Sequence, residues 1–289
     1  MSGLDGTSYV TLDMVEGDTM LTRISSRCII CMLTVLLVAG VCSAKQPAAR
    51  APQTPVKPAV APEAITALKK MGAFLRTLQA FTIHADTSTD EVLADTGQKI
   101  QFGSVVDYSF RSPDRLRVDV ISDRKQRQFF YDGHTLTMYG PREQYYASVP
   151  APPTIRKTLE VVAQRYDLEV PLADLFFWGT DEARLQDIKA AIDVGPSWID
   201  GVLCDHYAFR QADVDWQLWI ERNDTPVPRK LVITTTTEKA QPQCVAKLTW
   251  NLTPQLGDTL FTFTPPADAH KIVLRDVNAT PEGKSRRGK

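Results

Sequence analysis

Cysteine is scarce in this chain of 289 residues, and three of its five cysteines, Cys28, Cys31 and Cys42, fall in one apolar run near the start. Only Cys204 and Cys244 lie beyond it, which excludes a disulfide-stapled scaffold. Excess charge of either sign is missing as well. A formal net charge of −1 gives no reason to expect nucleic acid or an anionic membrane surface as partner. Catalytic signatures are equally sparse: the sequence has no G-x-S-x-G elbow, no H-E-x-x-H pair and no glycine-rich phosphate loop. His84, His134, His206 and His270 are scattered without metal-ligand spacing, so neither a metal nor another cofactor is expected.

What the sequence does have begins with "CIICMLTVLLVAGVC", Cys28 to Cys42, in which Thr34 is the only polar residue. It follows Arg23 and Arg27, precedes Ser43-Ala44, and is shorter than the ~20 residues of a membrane span. A basic start, an apolar stretch and small residues before Lys45 read as a secretory signal cleaved after Ala44, which places the mature protein in the periplasm. Two other readings stay open: a lipoprotein signal acylated on Cys42, against which Val41 stands in the preceding position, and an uncleaved anchor. The acidic stretch before Met20 leaves Met20 as an alternative start.

Residues 45–62, rich in proline and alanine, read as an extended linker, and residues 275–289 as a disordered tail. Between them, residues 63–274 read as one domain. Ile65, Leu68, Met71, Leu75 and Leu78 recur at steps of three or four after Pro62 and predict a helix of about four turns. The period then becomes two, with breaks at "ADTGQ", "RSPDR", "SDRKQ", "DG" and "GPRE", which predicts an antiparallel meander of five or six strands. Ile155, Leu159, Val162 and Tyr166 predict a second helix, and "PLADLFFWGTDEARLQDIKAA" a third opening after Pro171. Strands resume in "GVLCDHYAFRQ", "VDWQLWIE", "PRKLVITTTT", "CVAKLTWN" and "TLFTFTPP". The fold class is therefore α+β, with helices and strands segregated inside one domain.

The densest group of reactive side chains is "CDHYAFRQADVDWQLWI", residues 204–220. Cys204 and His206 share a strand face, but side chains two apart in a strand stand ~7 Å apart, too far for a thiol to be activated by direct hydrogen bonding. Asp213 and Asp215 flank a hairpin turn, where aspartate serves backbone geometry. Trp216 and Trp219, three apart, point to opposite faces. If the four strands from Gly201 to Asn251 form a meander, Cys204 and Cys244 lie three strand spacings apart, and no disulfide between them is expected.

The strands are unusually aromatic. A curled sheet covered by a few helices buries part of such a face and leaves the rest to line a cavity suited to an apolar ligand. The residues expected to line it are Tyr108, Phe110, Leu136, Met138, Tyr207, Phe209 and Trp219. "YDGHTLTMY" reads as a structural hairpin in which Asp132-Gly133 forms a type I′ turn and Leu136 and Met138 point inward.

"SFRSPDRLRVDV", then "FFYDGHTLTMYGPREQ" and the closing "FTFTPP", resemble the LolA/LolB-like superfamily of periplasmic lipoprotein carriers. The second half, with "DGVLCDHYAFRQADVDWQLWIE" and "PRKLVITT", looks like a family of predicted exported proteins. The resemblance implies a curved antiparallel sheet forming a half-open β-barrel, closed by helices around an apolar cavity that in the carriers holds acyl chains. The carriers place an arginine directly before the turn proline, tying barrel to covering helix. Here Ser112 holds that place and Arg111 lies one position earlier, on the opposite face. The expectation is a non-enzymatic exported protein that binds a hydrophobic or amphiphilic ligand, a lipid or acylated partner. The alternatives are an envelope module that senses or scaffolds another protein, and a hydrolase using the Cys204–His206 region.

Overall fold

The computed structural model describes residues 59–278 apart from 169 and 179–184. The expected cleavage site at Ala44, the linker up to residue 58 and the tail beyond residue 278 lie outside the described residues. After Pro62, which occupies the first helical turn where an N–H is not needed, α1 runs over Pro62–Leu75 and buries Ala64, Leu68, Met71 and Leu75 on one side.

Six strands follow as a meander: β1 (Ala80–Val92), β2 (Lys99–Arg111), β3 (Arg115–Ser122), β4 (Gln126–Tyr131), β5 (Thr135–Gly140) and β6 (Tyr145–Pro150). Helix α2 (Ile155–Tyr166) is capped by Thr154, whose side chain accepts a hydrogen bond from the Lys157 backbone N–H. Then come β7 (Ala190–Ile199), β8 (Val202–Arg210), β9 (Val214–Glu221), β10 (Pro228–Thr235), β11 (Gln243–Asn251) and the short β12 (His270–Lys271). All belong to a single twelve-stranded sheet in the order β12-β6-β5-β4-β3-β2-β1-β11-β10-β9-β8-β7. Every neighbouring pair is antiparallel except β12 with β6. The two ends of the sheet do not meet, so the curved sheet is a half-open barrel with covering helices. Among the described residues no helix is long and apolar enough to cross a membrane.

Alternation gives the sheet an inner and an outer face. The inner face carries two apolar cores, one beneath α2 on β1 to β6 and one beneath α1 on β7 to β10. The register aligns the first into continuous rows. Ile83, Tyr108, Val118, Phe129, Met138 and Ala147 are cross-strand neighbours in turn, as are Phe81, Phe110, Leu116, Tyr131, Leu136 and Val149.

Three expectations need correction. Where a third helix is expected, the described residues hold only short 3-10 turns at Ala173–Phe176 and Leu185–Asp187, and the end of that stretch enters β7. Nor is "TLFTFTPP" a strand. A 3-10 turn at Asp258–Phe261 starts a strap across the outer face, with Phe261 wholly buried and Phe263 packed against Phe130, Tyr139 and Tyr146. Finally, the Asp132-Gly133 connection is not type I′. Only Gly133 has a positive φ (94°), while the Asp132 carboxylate accepts hydrogen bonds from the backbone N–H groups of His134 (3.0 Å) and Thr135 (2.8 Å).

Arg111 sits on the outer face, as its position in the strand requires, and holds the strap. Its guanidinium donates to the Leu256 carbonyl (3.0 Å), pairs with Asp258 and lies 5.3 Å from the Phe261 ring centre.

Candidate functional site

The inner face is not fully covered by its helices. Beyond α2, a groove of about 880 Å³ opens over the ends of β1 to β3. Its floor is Thr89, Phe102, Ser104 and Ser122, and its roof is Leu159 and Ala163 of α2 with Leu168, Val170, Leu172 and Phe177 of the following segment. Charged side chains stand at its mouth: Glu91 accepts a hydrogen bond from Arg124 at 2.8 Å, and that guanidinium lies 3.9 Å from the Phe102 ring centre. Apolar walls with a charged rim suit a molecule that is apolar at one end and polar at the other, and the volume lies in the range of small-ligand sites.

A second pocket, about 290 Å³, lies past the other side of the Ala173–Phe176 turn and is boxed by aromatic rings. Phe81 stacks on Phe110 with centroids 4.5 Å apart, Trp250 lies 5.1 Å from Phe81, and Phe176 lies 5.6 Å from Phe110. A third cavity, about 430 Å³, lies beside α1 over Tyr207 and Ile220.

Of the seven residues expected to line a cavity, Tyr108, Phe110, Leu136 and Met138 come together in the core beneath α2, and Phe110 lines the aromatic pocket. Tyr207 and Phe209 sit in the core beneath α1, with Tyr207 lining the cavity there. Trp219 is on the outer face, stacked on His206 at 4.0 Å and packed near Cys204 and Val232. Its partner strand decides this, because the register pairs it with His206 while Tyr207 pairs with Leu218. The groove residues Phe102, Val170, Leu172 and Phe177 and the pocket residues Phe81, Phe176, Trp178 and Trp250 are additions from the structure. The cluster "LFFW" was the available signal for several of them.

The Cys204–His206 region has the wrong electrostatics for nucleophilic chemistry. Cys204 is wholly buried, and burial, reinforced by Glu221, pushes its thiol up to about 11. Burial also lowers the His206 pKa, and its Nε2 lies 3.0 Å from Gln217 rather than on the thiol. A thiol raised from 9.0 to about 11 holds about a hundredfold less thiolate near neutrality. In native protein at pH 8, iodoacetamide should therefore modify Cys244 and spare Cys204, with both modified after denaturation. Peptide mass mapping reads the result, and rapid native labelling of Cys204 would contradict it. The two thiols are free, they lie on strands separated by β9 and β10, and they face opposite sides of the sheet: Cys204 packs with Trp219, whereas Cys244 accepts a hydrogen bond from Thr89 in the groove.

A family model described as "Predicted periplasmic protein (DUF2092)" matches residues 64–275. No curated protein matches the sequence. Solved structures with a similar course include an uncharacterized conserved protein from Thermus thermophilus, with 11% identity over 73% of this chain and 99% of the other at a TM-score of 0.42. LprF from Mycobacterium bovis shows 16% identity over 74% of this chain and 100% of the other, with a TM-score of 0.40. A LolA superfamily protein from Nitrosomonas europaea shows 12% identity over 69% and 97%, with a TM-score of 0.33.

Proposed function

Since the chain belongs to the DUF2092 family of periplasmic proteins, we propose that it is a non-catalytic binding protein that holds the apolar part of an amphiphile, a lipid or the acyl chain of a lipidated partner, on the inner face of its half-open barrel. The observation that carries this reading is the groove of about 880 Å³ whose roof is apolar and whose mouth bears Glu91, Arg124 and Lys125. An acyl chain placed against Leu159, Val170, Leu172 and Phe177 leaves water, which is worth ~0.8 kcal/mol per buried CH₂. Its head group stays at the rim, where charged side chains are solvated. Phe110 and the aromatic pocket extend the apolar surface past the Ala173–Phe176 turn. Tyr108, Leu136 and Met138 pack in the core beneath α2 and Tyr207 and Phe209 in the core beneath α1, which hold the inner face in shape.

Solvent extraction of protein purified from its native compartment, followed by mass spectrometry, tests the reading. An amphiphile near one equivalent per chain is expected. The Phe102→Glu variant, which puts a charge on the groove floor while leaving the rows under α2 intact, should purify folded and carry several-fold less. Extracts with no amphiphile, or equal loading of the variant, would sink the proposal.

A further inference from the structure

Tyr108 occupies the centre of the inner face, between Ile83 on β1 and Val118 on β3, and its hydroxyl is enclosed without a hydrogen-bond partner among the described residues. Its neighbour one row away behaves differently. Tyr131, also buried, donates its hydroxyl to the Pro152 carbonyl. An enclosed hydroxyl with no partner opposes folding, and phenylalanine would fill the same space without that cost. The neighbouring row uses phenylalanine at Phe81 and Phe110, so the sheet accommodates that ring.

What covers Tyr108 belongs to the ligand site. The Phe176 ring lies 6.3 Å from its ring, and the turn that carries Phe176 separates the two openings: Ala173 and Asp174 line the large groove, Leu175 and Phe176 the aromatic pocket. Leu172, at the start of the turn, has a φ of 57°, a left-handed conformation unfavourable for leucine. Burial, with the Asp174 charge second, pushes the Tyr108 pKa up, so the hydroxyl keeps its proton and remains a donor.

We infer that Tyr108 is the polar contact of the bound molecule, donating a hydrogen bond to a neutral acyl carbonyl, an ester or amide, that enters beneath the Ala173–Phe176 turn. This rests on the groove being an amphiphile site. A neutral acceptor is favoured over a free carboxylate because the hydroxyl is enclosed among apolar side chains, where a carboxylate would lose its water at a cost that one hydrogen bond does not offset. The enclosed hydroxyl thus selects among molecules that the apolar walls alone would bind alike, since a site built to hydrogen-bond discriminates by leaving a buried group unpaired when the partner is wrong.

The purified full chain, stripped of bound lipid, is titrated with two fluorescent probes: diphenylhexatriene, which is all hydrocarbon, and the methyl ester of parinaric acid, which carries one carbonyl. Wild type should bind both, and should prefer the ester to free parinaric acid. Tyr108→Phe should bind the ester about tenfold more weakly, the loss of one buried hydrogen bond, with diphenylhexatriene changed less than about twofold. Its unfolding midpoint without ligand should not fall. Unchanged ester binding by the variant, equal weakening for both probes, or a wild-type preference for the free acid would each overturn the assignment while leaving the amphiphile site standing. Wild type that binds neither probe would remove the site itself.

Discussion

Met138→Asp is expected to disrupt the fold, yielding protein that is protease-sensitive or insoluble. Met138 is 8% exposed and sits in the row between Phe129 and Ala147. These row neighbours offer no cation, so a carboxylate there must be buried unpaired or become protonated, at a cost of several kcal/mol. That consumes much of the ~5–15 kcal/mol that holds a domain together. Met138→Leu, similar in volume, should cost less than ~1.5 kcal/mol. Urea unfolding followed by circular dichroism compares the two. A Met138→Asp variant with the wild-type midpoint would mean that this row is not part of the buried core.

Gly133→Val should lose ~1–3 kcal/mol, because Gly133 holds a φ of 94° and a β-branched residue is strained there. A second effect adds to the first: a Cβ at this position would lie 2.6 Å from Arg115 Nη1 and 2.7 Å from Asp114 Oδ2, on side chains that pair with each other through Asp114 Oδ1 at 2.9 Å. Both must move aside, and the neighbouring β2–β3 turn is disturbed along with the hairpin. His134→Ala is the control next door. The His134 backbone makes the contacts, its N–H donating to Asp132 and its carbonyl accepting from Ala151 at 2.8 Å, so the variant should keep the midpoint and any bound lipid. A folded His134→Ala variant that lost function would mean that the hairpin is a chemical site rather than a structural one.

Turn signals made the first meander legible, since every strand from β1 to β6 has a clean break beside it, and a period of two is plain in β3. Alternation also placed Tyr108 and Phe110, and Leu136 and Met138, on common faces. Parity within one strand does not say which face is inward, however. Trp219 went to the wrong side because that choice depends on cross-strand register, here the pairing with His206. Strand β7 was hidden by Gly195-Pro196, which reads as a turn but is accommodated beside a bulge, with Gly195 at a φ of 102°. The stretch after Pro171 is apolar enough for a helix, yet its side chains are claimed by the inner face as a short turn. In "FTFTPP" the alternation is real but marks Phe261 and Phe263 anchoring a strap rather than a hydrogen-bonded ladder. The groove could not be located from sequence because its walls come from strands and a loop far apart in the chain.

The order of the sheet also sets how the chain must assemble. Apart from the short β12 contact with β6, every pairing joins strands adjacent in sequence, except β1 with β11, where Thr82 meets Asn251. Each half can zip from local hairpins at little entropic cost. Uniting the halves means closing a loop that holds nearly the whole domain, the closure with the largest entropic cost in the sheet. Until the β1–β11 seam is made, both halves expose bare strand edges, the state in which a newly exported chain is most exposed to proteolysis and self-association. Once made, the seam lies at mid-sheet, where the two cores share Trp250 and Leu252. The same long-range closure therefore unites the inner face into one surface.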